Sequence, residues 1–157
     1  FKKSGINFSS CPTENVYLEG RQDTYPKRRG ITRVKELYDN GINVCFAQDS
    51  MSDPWYPLGN GNMMMILDHG IHLAQMMSPE EITNDLDLVT TNGAITMSIT
   101  DHYGIEEGKP ANFIVFDAKS EFEAICERAG ITASVRHGEY LFEKIPAKVT
   151  GAIDLLK

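Results

Sequence analysis

The stretch NVCFAQDSMSDPWYPLGNG, residues 43–61, carries the strongest indication of the fold. Together with Ile42 before it, its first part is a nearly continuous apolar run that leads to Asp49. Such a run is typical of a parallel strand that is covered on both faces. Beyond Asp49 the chain contains a second aspartate, two prolines and Trp55, the only tryptophan. The stretch therefore predicts a buried strand that leads directly into a loop carrying a carboxylate.

The segments on either side of this strand predict an alternation of strands and helices. Residues 6–12, INFSSCP, are a short strand candidate that ends at a proline. Residues 13–30 are polar and rich in turn formers, which predicts a long loop. Residues 31–41 have the apolar spacing of a short amphipathic helix, and residues 62–77 predict a strongly apolar helix. This order is typical of parallel α/β folds with right-handed crossovers.

The second half of the chain predicts a different arrangement. Residues 78–81, SPEE, have the cap, proline and acidic first turn of a further helix. Residues 111–118 predict a strand, residues 120–130 a short helix, and residues 131–145 a β-hairpin. The chain is therefore predicted to be an α/β protein whose second half ends in antiparallel strands.

Composition and charge exclude several classes of partner. The formal net charge is −7 and the pI is about 5.0, which argues against nucleic acid as a partner. No apolar run approaches the roughly 20 residues that a membrane span needs, so no membrane partner is expected. The three cysteines are odd in number and lack metal-site spacing. They are predicted to be reduced thiols, which suits a cytoplasmic protein.

Asp49 is the first candidate functional residue. In parallel α/β folds, sites form at the carboxyl ends of strands, and Asp49 lies at such an end. A carboxylate there could ligate a metal or act as a general base, or it could simply cap the strand end. Trp55 follows in the same loop, where it could stack on a planar ligand or pin the loop.

Histidines offer a weaker signal. His69 and His72 lie three residues apart on one helix face, a spacing that could ligate zinc, but the apolar helix favours packing or surface positions for them. The sequence contains no HxH pair, no HExxH motif and no glycine-rich phosphate loop. No complete metal or phosphate motif is therefore present.

Several long strings resemble the cytosine deaminases of the amidohydrolase superfamily. They are GRQDTYPKRRGITRVKEL at residues 20–37, GINVCFAQDS at residues 41–50, DPWYPLG at residues 53–59 and the run at residues 86–118. The similarity covers about residues 4–145. It implies that the chain is the C-terminal segment of a (β/α)8 barrel, containing strands seven and eight with their helices, followed by strands of a small β-sandwich.

The resemblance implies a division of the chain and a set of site residues. Residues 1–108 would be the last barrel units and the following helices, and residues 109–157 the C-terminal part of the small β-domain. Asp49 would be the catalytic residue, both contacting the metal and moving protons. Trp55 would be a wall of the substrate pocket, and Ser50 would lie beside the base where a bacterial cytosine deaminase carries an acidic residue.

The implied reaction is the hydrolysis of cytosine to uracil and ammonia by metal-activated water. Two departures affect the choice of substrate: Gln48 replaces an expected histidine, and Ser50 replaces the acidic residue. Isocytosine, a triazine or another cyclic amidine is the alternative substrate. The small-molecule partner is in each case a nucleobase or a related ring.

The resemblance also implies that the remaining metal ligands, among them an HxH pair, would precede Phe1. The family uses one divalent metal, iron or zinc, which this chain alone is not expected to retain, because one carboxylate is a poor site. The first residues, FKKSG, have the pattern of a last helical turn, so the chain is expected to be a piece of something longer and inactive when isolated. Two barrel strands would leave open edges, so a homo-oligomer is expected. The alternative function is a non-catalytic, oligomerising module.

Overall fold

The computed structural model describes residues 1–145, which form a mixed α/β structure. The described strands are β1 Phe8–Ser10, β2 Val44–Phe46, β3 Phe113–Phe116, β4 Ile131–Arg136 and β5 Glu139–Glu143. The described α-helices are α1 Pro12–Leu18, α2 Val34–Asp39, α3 Met63–Ala74, α4 Pro79–Ile82, α5 Thr91–Thr96 and α6 Glu121–Cys126. Short 3-10 helices lie at Lys2–Ser4, Asp85–Val89 and Thr100–His102.

Strands β1 and β2 form a parallel pair, which confirms the prediction from the apolar run. Ser10 lies opposite Phe46 at the carboxyl ends of the two strands. The N–H of Ala47 donates to the carbonyl of Ser10 at 2.8 Å and extends the pairing by one residue. All three residues of β2 are buried. The two segments that follow these strands therefore begin side by side.

Helix α1 corrects the prediction of one long loop at residues 13–30. Residues Pro12–Leu18 are helical, with the proline at the start of the helix and Glu14 in its first turn. Proline suits the first helical position because the missing N–H would have no partner there, and an acidic side chain is favourable in the first turn. The rest of the predicted loop, residues 19–30, contains turns but neither a helix nor a strand.

The core forms where α3 crosses β2. Asn62 caps α3 by accepting hydrogen bonds from the N–H groups of Met64 and Met65. Gly70 lies so close to the Phe46 ring that an added Cβ would stand 2.5 Å from two ring carbons. Glycine is therefore required for this approach of helix to strand. The buried apolar cluster comprises Val34, Val44, Phe46, Met64, Ile66, Leu67, Ile71, Met76, Leu88, Ala124 and Ile125.

Strands β3, β4 and β5 form an antiparallel sheet in that order. The β4–β5 hairpin turns at His137 and Gly138, both with positive φ, as the sequence predicts. Many apolar side chains of this three-stranded sheet are exposed, including Ile114, Tyr140 and Leu141. The boundary between residues 108 and 109 stays a prediction, and the end of the second segment, residues 146–157, lies outside the described residues. No helix among residues 1–145 is long and apolar enough to cross a membrane.

The Gly70 contact predicts an asymmetry between two glycine substitutions. Gly70→Ala would place a methyl group against the Phe46 ring, so we expect it to lower the free energy of unfolding by about 1–3 kcal/mol, as overpacking does. Gly93→Ala in α5 is the matched control, because an added Cβ there meets nothing within 4 Å. Urea denaturation followed by circular dichroism measures both. Equal stability of the two variants would contradict the contact.

Asp85 is a buried carboxyl group outside the strand ends. It is only 1% exposed, and its Oδ2 has no hydrogen-bond partner. Burial raises the pKa of Asp85 to about 7, the negative charge of Glu81 adds to the rise, and the charge of Lys35 opposes it. Glu81 is itself ion-paired with Lys35, and this hydrogen bond lowers the pKa of Glu81 to about 2. Lys35 therefore compensates the charge of Glu81 and lowers the pKa of Asp85 only in part.

The raised pKa of Asp85 predicts that stability falls with rising pH. Between about pH 4 and pH 7 the unfolded chain would lose this proton while the folded chain keeps it, so the free energy of unfolding decreases over that range. The contribution is about 2–4 kcal/mol for a shift of this size. Asp85→Asn should flatten this slope and be more stable than wild type at pH 8. Denaturation curves at pH 4, 6 and 8 test it, and a slope that Asp85→Asn leaves unchanged would refute it.

Candidate functional site

The candidate site lies at the carboxyl ends of β1 and β2. Beyond β1 the chain enters α1, and beyond β2 it enters the loop at residues 47–61. The hydrogen bond between Ala47 and Ser10 holds these two exits together. Polar side chains from two distant segments therefore meet at one edge of the parallel pair.

Asp49 lies just beyond the end of β2, with its side chain exposed. Its φ of 65° is uncommon for a residue other than glycine, although aspartate tolerates it better than most. Burial, followed by the negative charges of Asp49 and Glu14, raises the pKa of the Cys11 thiol. Asp49 and Glu14 are thus both within electrostatic reach of Cys11, the residue that directly precedes α1.

The loop after Asp49 is closed by its own hydrogen bonds. The Asp53 carboxylate accepts from the N–H groups of Trp55 and Tyr56 at 2.9 and 3.0 Å. The Tyr56 N–H is the main cause that lowers the pKa of Asp53. Ser52 donates to the Gly59 carbonyl at 2.9 Å. Gly59 also lies so close to the chain at Ser50 that a Cβ would stand 2.0 Å from that residue's carbonyl oxygen.

The structure carries the three predicted site residues on this one loop. Asp49 is exposed, Ser50 is half-buried, and Trp55 is 62% exposed. The Ser50 side chain contributes to the lowered pKa of Asp53. The neighbouring ring of Tyr56 packs edge-on against Tyr17 of α1, with ring centroids 6.0 Å apart. This contact fixes the loop against the helix and leaves the indole ring largely in solvent.

A set of four buried polar side chains lies at the same edge, and of these only Gln48 was expected to affect the choice of substrate. Its members are Ser10, Thr13, Glu14 and Gln48, with exposed fractions of 1%, 4%, 5% and 7%. Each has at least one side-chain atom without a hydrogen-bond partner in the structure. The sequence signal for Glu14 was the start of α1, a proline followed two residues later by an acid. The proline was instead assigned to the end of a strand, and Glu14 to the predicted loop that follows it.

Residues 1–145 lack the groups that the predicted metal site needs. Among them no three histidine, cysteine, aspartate or glutamate side chains lie together in a way that could hold a metal ion. His69 and His72 are exposed, and their Nδ1 atoms lie 2.8 and 2.6 Å from the backbone oxygens of Met65 and Asp68. The surface position predicted for these histidines is thus confirmed. Asp49 can offer one carboxylate to a metal, and the described residues do not complete a site around it.

Two clefts lie near the site without containing Asp49. The larger, of about 950 Å³, is formed between the start of α3 and the antiparallel sheet. The smaller, of about 640 Å³, is bounded by α1, α3 and the Asp49 loop, and includes Thr13, Tyr56 and Leu58. We place the candidate site at the strand ends because the unpartnered buried polar groups lie there.

Comparison with known proteins identifies the family of the chain. The amidohydrolase family model matches residues 2–141. The structure superposes with a TM-score of 0.92 on 5-methylcytosine deaminase from Klebsiella pneumoniae, solved with 5-fluorocytosine. The two sequences are 49% identical, and the match covers 97% of this chain and 37% of that enzyme.

Two curated relatives act on other rings, as their names state. N-isopropylammelide isopropyl amidohydrolase from Pseudomonas sp. (strain ADP) is 27% identical over 90% of this chain and 32% of its own length. Pterin deaminase from Rhizobium rhizogenes (strain K84 / ATCC BAA-868) is 26% identical over 92% of this chain and 33% of its own length. The chain thus spans about a third of the length of each of these two relatives.

Proposed function

The chain belongs to the amidohydrolase family, and we propose that it is the C-terminal part of a deaminase acting on cytosine or 5-methylcytosine. The observation that carries the proposal is the 49% identity with 5-methylcytosine deaminase over 97% of the chain. The reaction would replace the exocyclic amino group of the ring by oxygen from water and release ammonia.

The proposal assigns β1 and β2 to the seventh and eighth strands of a (β/α)8 barrel. The parallel pairing of these strands, with helix α2 in the crossover between them, supports this assignment. The antiparallel order of β3, β4 and β5 supports a separate small β-domain over residues 109–157, after barrel units over residues 1–108. The site would then lie at the end of the barrel where such folds carry their chemistry.

Asp49 is proposed to move protons during the reaction. When water adds to the ring carbon, it loses a proton, and the departing nitrogen must gain one before it leaves as ammonia. A carboxylate at the strand end can accept the first proton and donate it to the nitrogen. The exposure of the Asp49 carboxyl, at the same edge as the buried polar side chains, supports this role.

The proposal includes one divalent metal, iron or zinc, in the complete enzyme, with Asp49 among its ligands. Enzymes of this family generally use a divalent metal, which supplies an activated water when bound. Residues 1–145 do not assemble such a site. We therefore expect the isolated 157-residue chain to retain no metal and to be inactive.

Trp55 and Ser50 are proposed to contact the ring. The exposed indole of Trp55 offers a flat apolar surface for stacking on a planar base. Ser50 is small, neutral and half-buried next to Asp49. A small neutral side chain leaves room for a methyl group on the ring, which an acidic residue at this position would crowd.

Two other functions have a specific observation in their favour. The similarity to pterin deaminase and to N-isopropylammelide isopropyl amidohydrolase supports a different ring, such as isocytosine, a triazine or another cyclic amidine. The exposed apolar side chains of the antiparallel sheet, among them Ile114 and Leu141, support a non-catalytic module that self-associates. A homo-oligomer would suit either an enzyme or a module.

The role of Asp49 is tested in an assembled enzyme, defined here as residues 1–157 fused in place of the matching 37% of the Klebsiella pneumoniae enzyme and loaded with iron or zinc. Asp49→Asn should lower kcat for ammonia release from cytosine by about 100-fold or more, because the amide cannot accept the proton. Asp101→Asn is the control, since Asp101 is an exposed carboxylate in a different segment. A loss of less than about tenfold in Asp49→Asn would exclude proton transfer by Asp49.

The role of Ser50 is tested in the same assembled enzyme with two substrates. Ser50→Asp should lower kcat/KM for 5-methylcytosine relative to cytosine by about tenfold or more, the usual effect of one badly placed methyl group. Ser50→Ala, which stays small and neutral, should preserve the wild-type ratio. If Ser50→Asp also leaves the ratio unchanged, Ser50 does not face the ring substituent.

A further inference from the structure

Glu14 and Gln48 are two buried polar side chains to which the proposed function gives no role. They are 5% and 7% exposed. Oε2 of Glu14 and both side-chain amide atoms of Gln48 lack a hydrogen-bond partner. Nearly all buried polar atoms in folded proteins are paired, so each unpaired one calls for a missing partner. Three such atoms on two side chains at one edge indicate a missing ligand.

These two side chains come from the two segments that leave the parallel strands. Glu14 lies four residues beyond Ser10 in the first turn of α1, and Gln48 directly follows Ala47. The 2.8 Å hydrogen bond from Ala47 to Ser10 therefore ties their starting points together. Asp49 follows Gln48 in the chain and, like Glu14, acts on the thiol of Cys11. All of these groups belong to the same edge.

The loop after β2 covers Gln48 on one side. A Cβ on Gly59 would stand 3.1 Å from Nε2 of Gln48, which is closer than most Cβ contacts in proteins. The backbone at Gly59 therefore packs tightly against this amide. The loop thus restricts where the amide can go, yet gives it no hydrogen bond. A side chain that is held in place and left unpaired is preorganised for a ligand, because little further ordering is needed when the ligand arrives.

The chemistry of the pair restricts that ligand. An ionised glutamate only accepts hydrogen bonds, whereas a glutamine amide both donates and accepts. A ring that carries N–H donors and a carbonyl or ring-nitrogen acceptor along one polar edge matches both side chains. Cytosine and its 5-substituted forms have such an edge, as does any cyclic amidine with a carbonyl group.

We propose that Glu14 and Gln48 bind the polar edge of the heterocyclic substrate, with Glu14 accepting from an N–H and Gln48 pairing with the carbonyl or ring nitrogen. This inference rests on the proposed deaminase function and adds two substrate-binding residues to it. Glu14 would supply the acidic group next to the base that Ser50 lacks. The carboxylate of Glu14 would thus come from the segment after β1, whereas Ser50 lies in the segment after β2.

Glu14→Gln in the assembled enzyme tests the contact. The amide oxygen can still accept the hydrogen bond but carries no charge, so KM for cytosine should rise by about tenfold, with a smaller change in kcat. Gln48→Leu should act in the same direction. Glu19→Gln is the matched control, because Glu19 is exposed at the end of the same helix. A KM within twofold of wild type in both Glu14→Gln and Gln48→Leu would overturn the proposal.

Stability separates a binding role from a structural one. If Glu14 is buried for the sake of a ligand, Glu14→Gln removes an unpaired carboxylate, and the melting temperature of the 157-residue chain should stay equal or rise. A structural carboxylate would give a clear fall. A clear fall in melting temperature would therefore count against the proposal even if KM increased.

Failure of the proposed function is distinguishable from failure of this inference. If the wild-type assembled enzyme releases no ammonia from cytosine, 5-methylcytosine or isocytosine, the deaminase function is wrong for this chain. Isothermal titration of cytosine into the same protein then tests the contact directly. At least tenfold weaker binding by Glu14→Gln supports it, and equal binding by the variant or no binding by wild type overturns it.

Discussion

The parallel pairing of β1 with β2 is the constraint on which the rest of the structure depends. Each strand has only three residues, and the pair joins positions 10 and 46, which are far apart in the chain. Loop-closure entropy opposes such a contact, so it must be stabilised by packing around it. That packing comes from α3, which reaches the Phe46 ring closely only because Gly70 has no side chain. The core contact at Phe46 and the candidate site therefore both lie at the carboxyl end of the same short strand pair.

Buried polar groups in this chain fall into two classes that differ in their surroundings. Asp85 lies near a lysine that is already paired with Glu81, and its raised pKa of about 7 lets it lose its charge by binding a proton. Glu14 and Gln48 lie at the strand ends, and the amide of Gln48 has no proton equilibrium that could relieve it. Unpaired buried polar groups need an explanation, and a partner beyond the described residues provides one for this pair. We therefore place the proposed site at the strand ends and not around Asp85.

The sequence predicted those parts of the structure that depend on local pattern. The apolar run before Asp49 predicted a parallel strand, and the turn at His137–Gly138 predicted a hairpin. It failed at α1, where a proline that starts the helix also looked like the end of a strand. Because that segment was predicted to be a loop, Glu14 was not considered. Its burial is a tertiary effect, which no local pattern records.

The candidate site lies at the end of a sheet with only two strands. Catalysis and substrate binding in the proposed enzyme would therefore need groups from several parts of that enzyme. A two-stranded parallel sheet has open edges on both sides, whereas parallel sheets are ordinarily wide and covered. At this edge the described residues offer the exposed carboxylate of Asp49, the exposed indole of Trp55 and a few unpaired buried groups, and residues 1–145 contain no metal cluster. Under the proposed function, these groups orient the ring and move its protons. The metal ligands that activate water must then come from outside residues 1–145. Glu14 and Gln48 would bind and orient the ring, and those other ligands would complete the catalytic site.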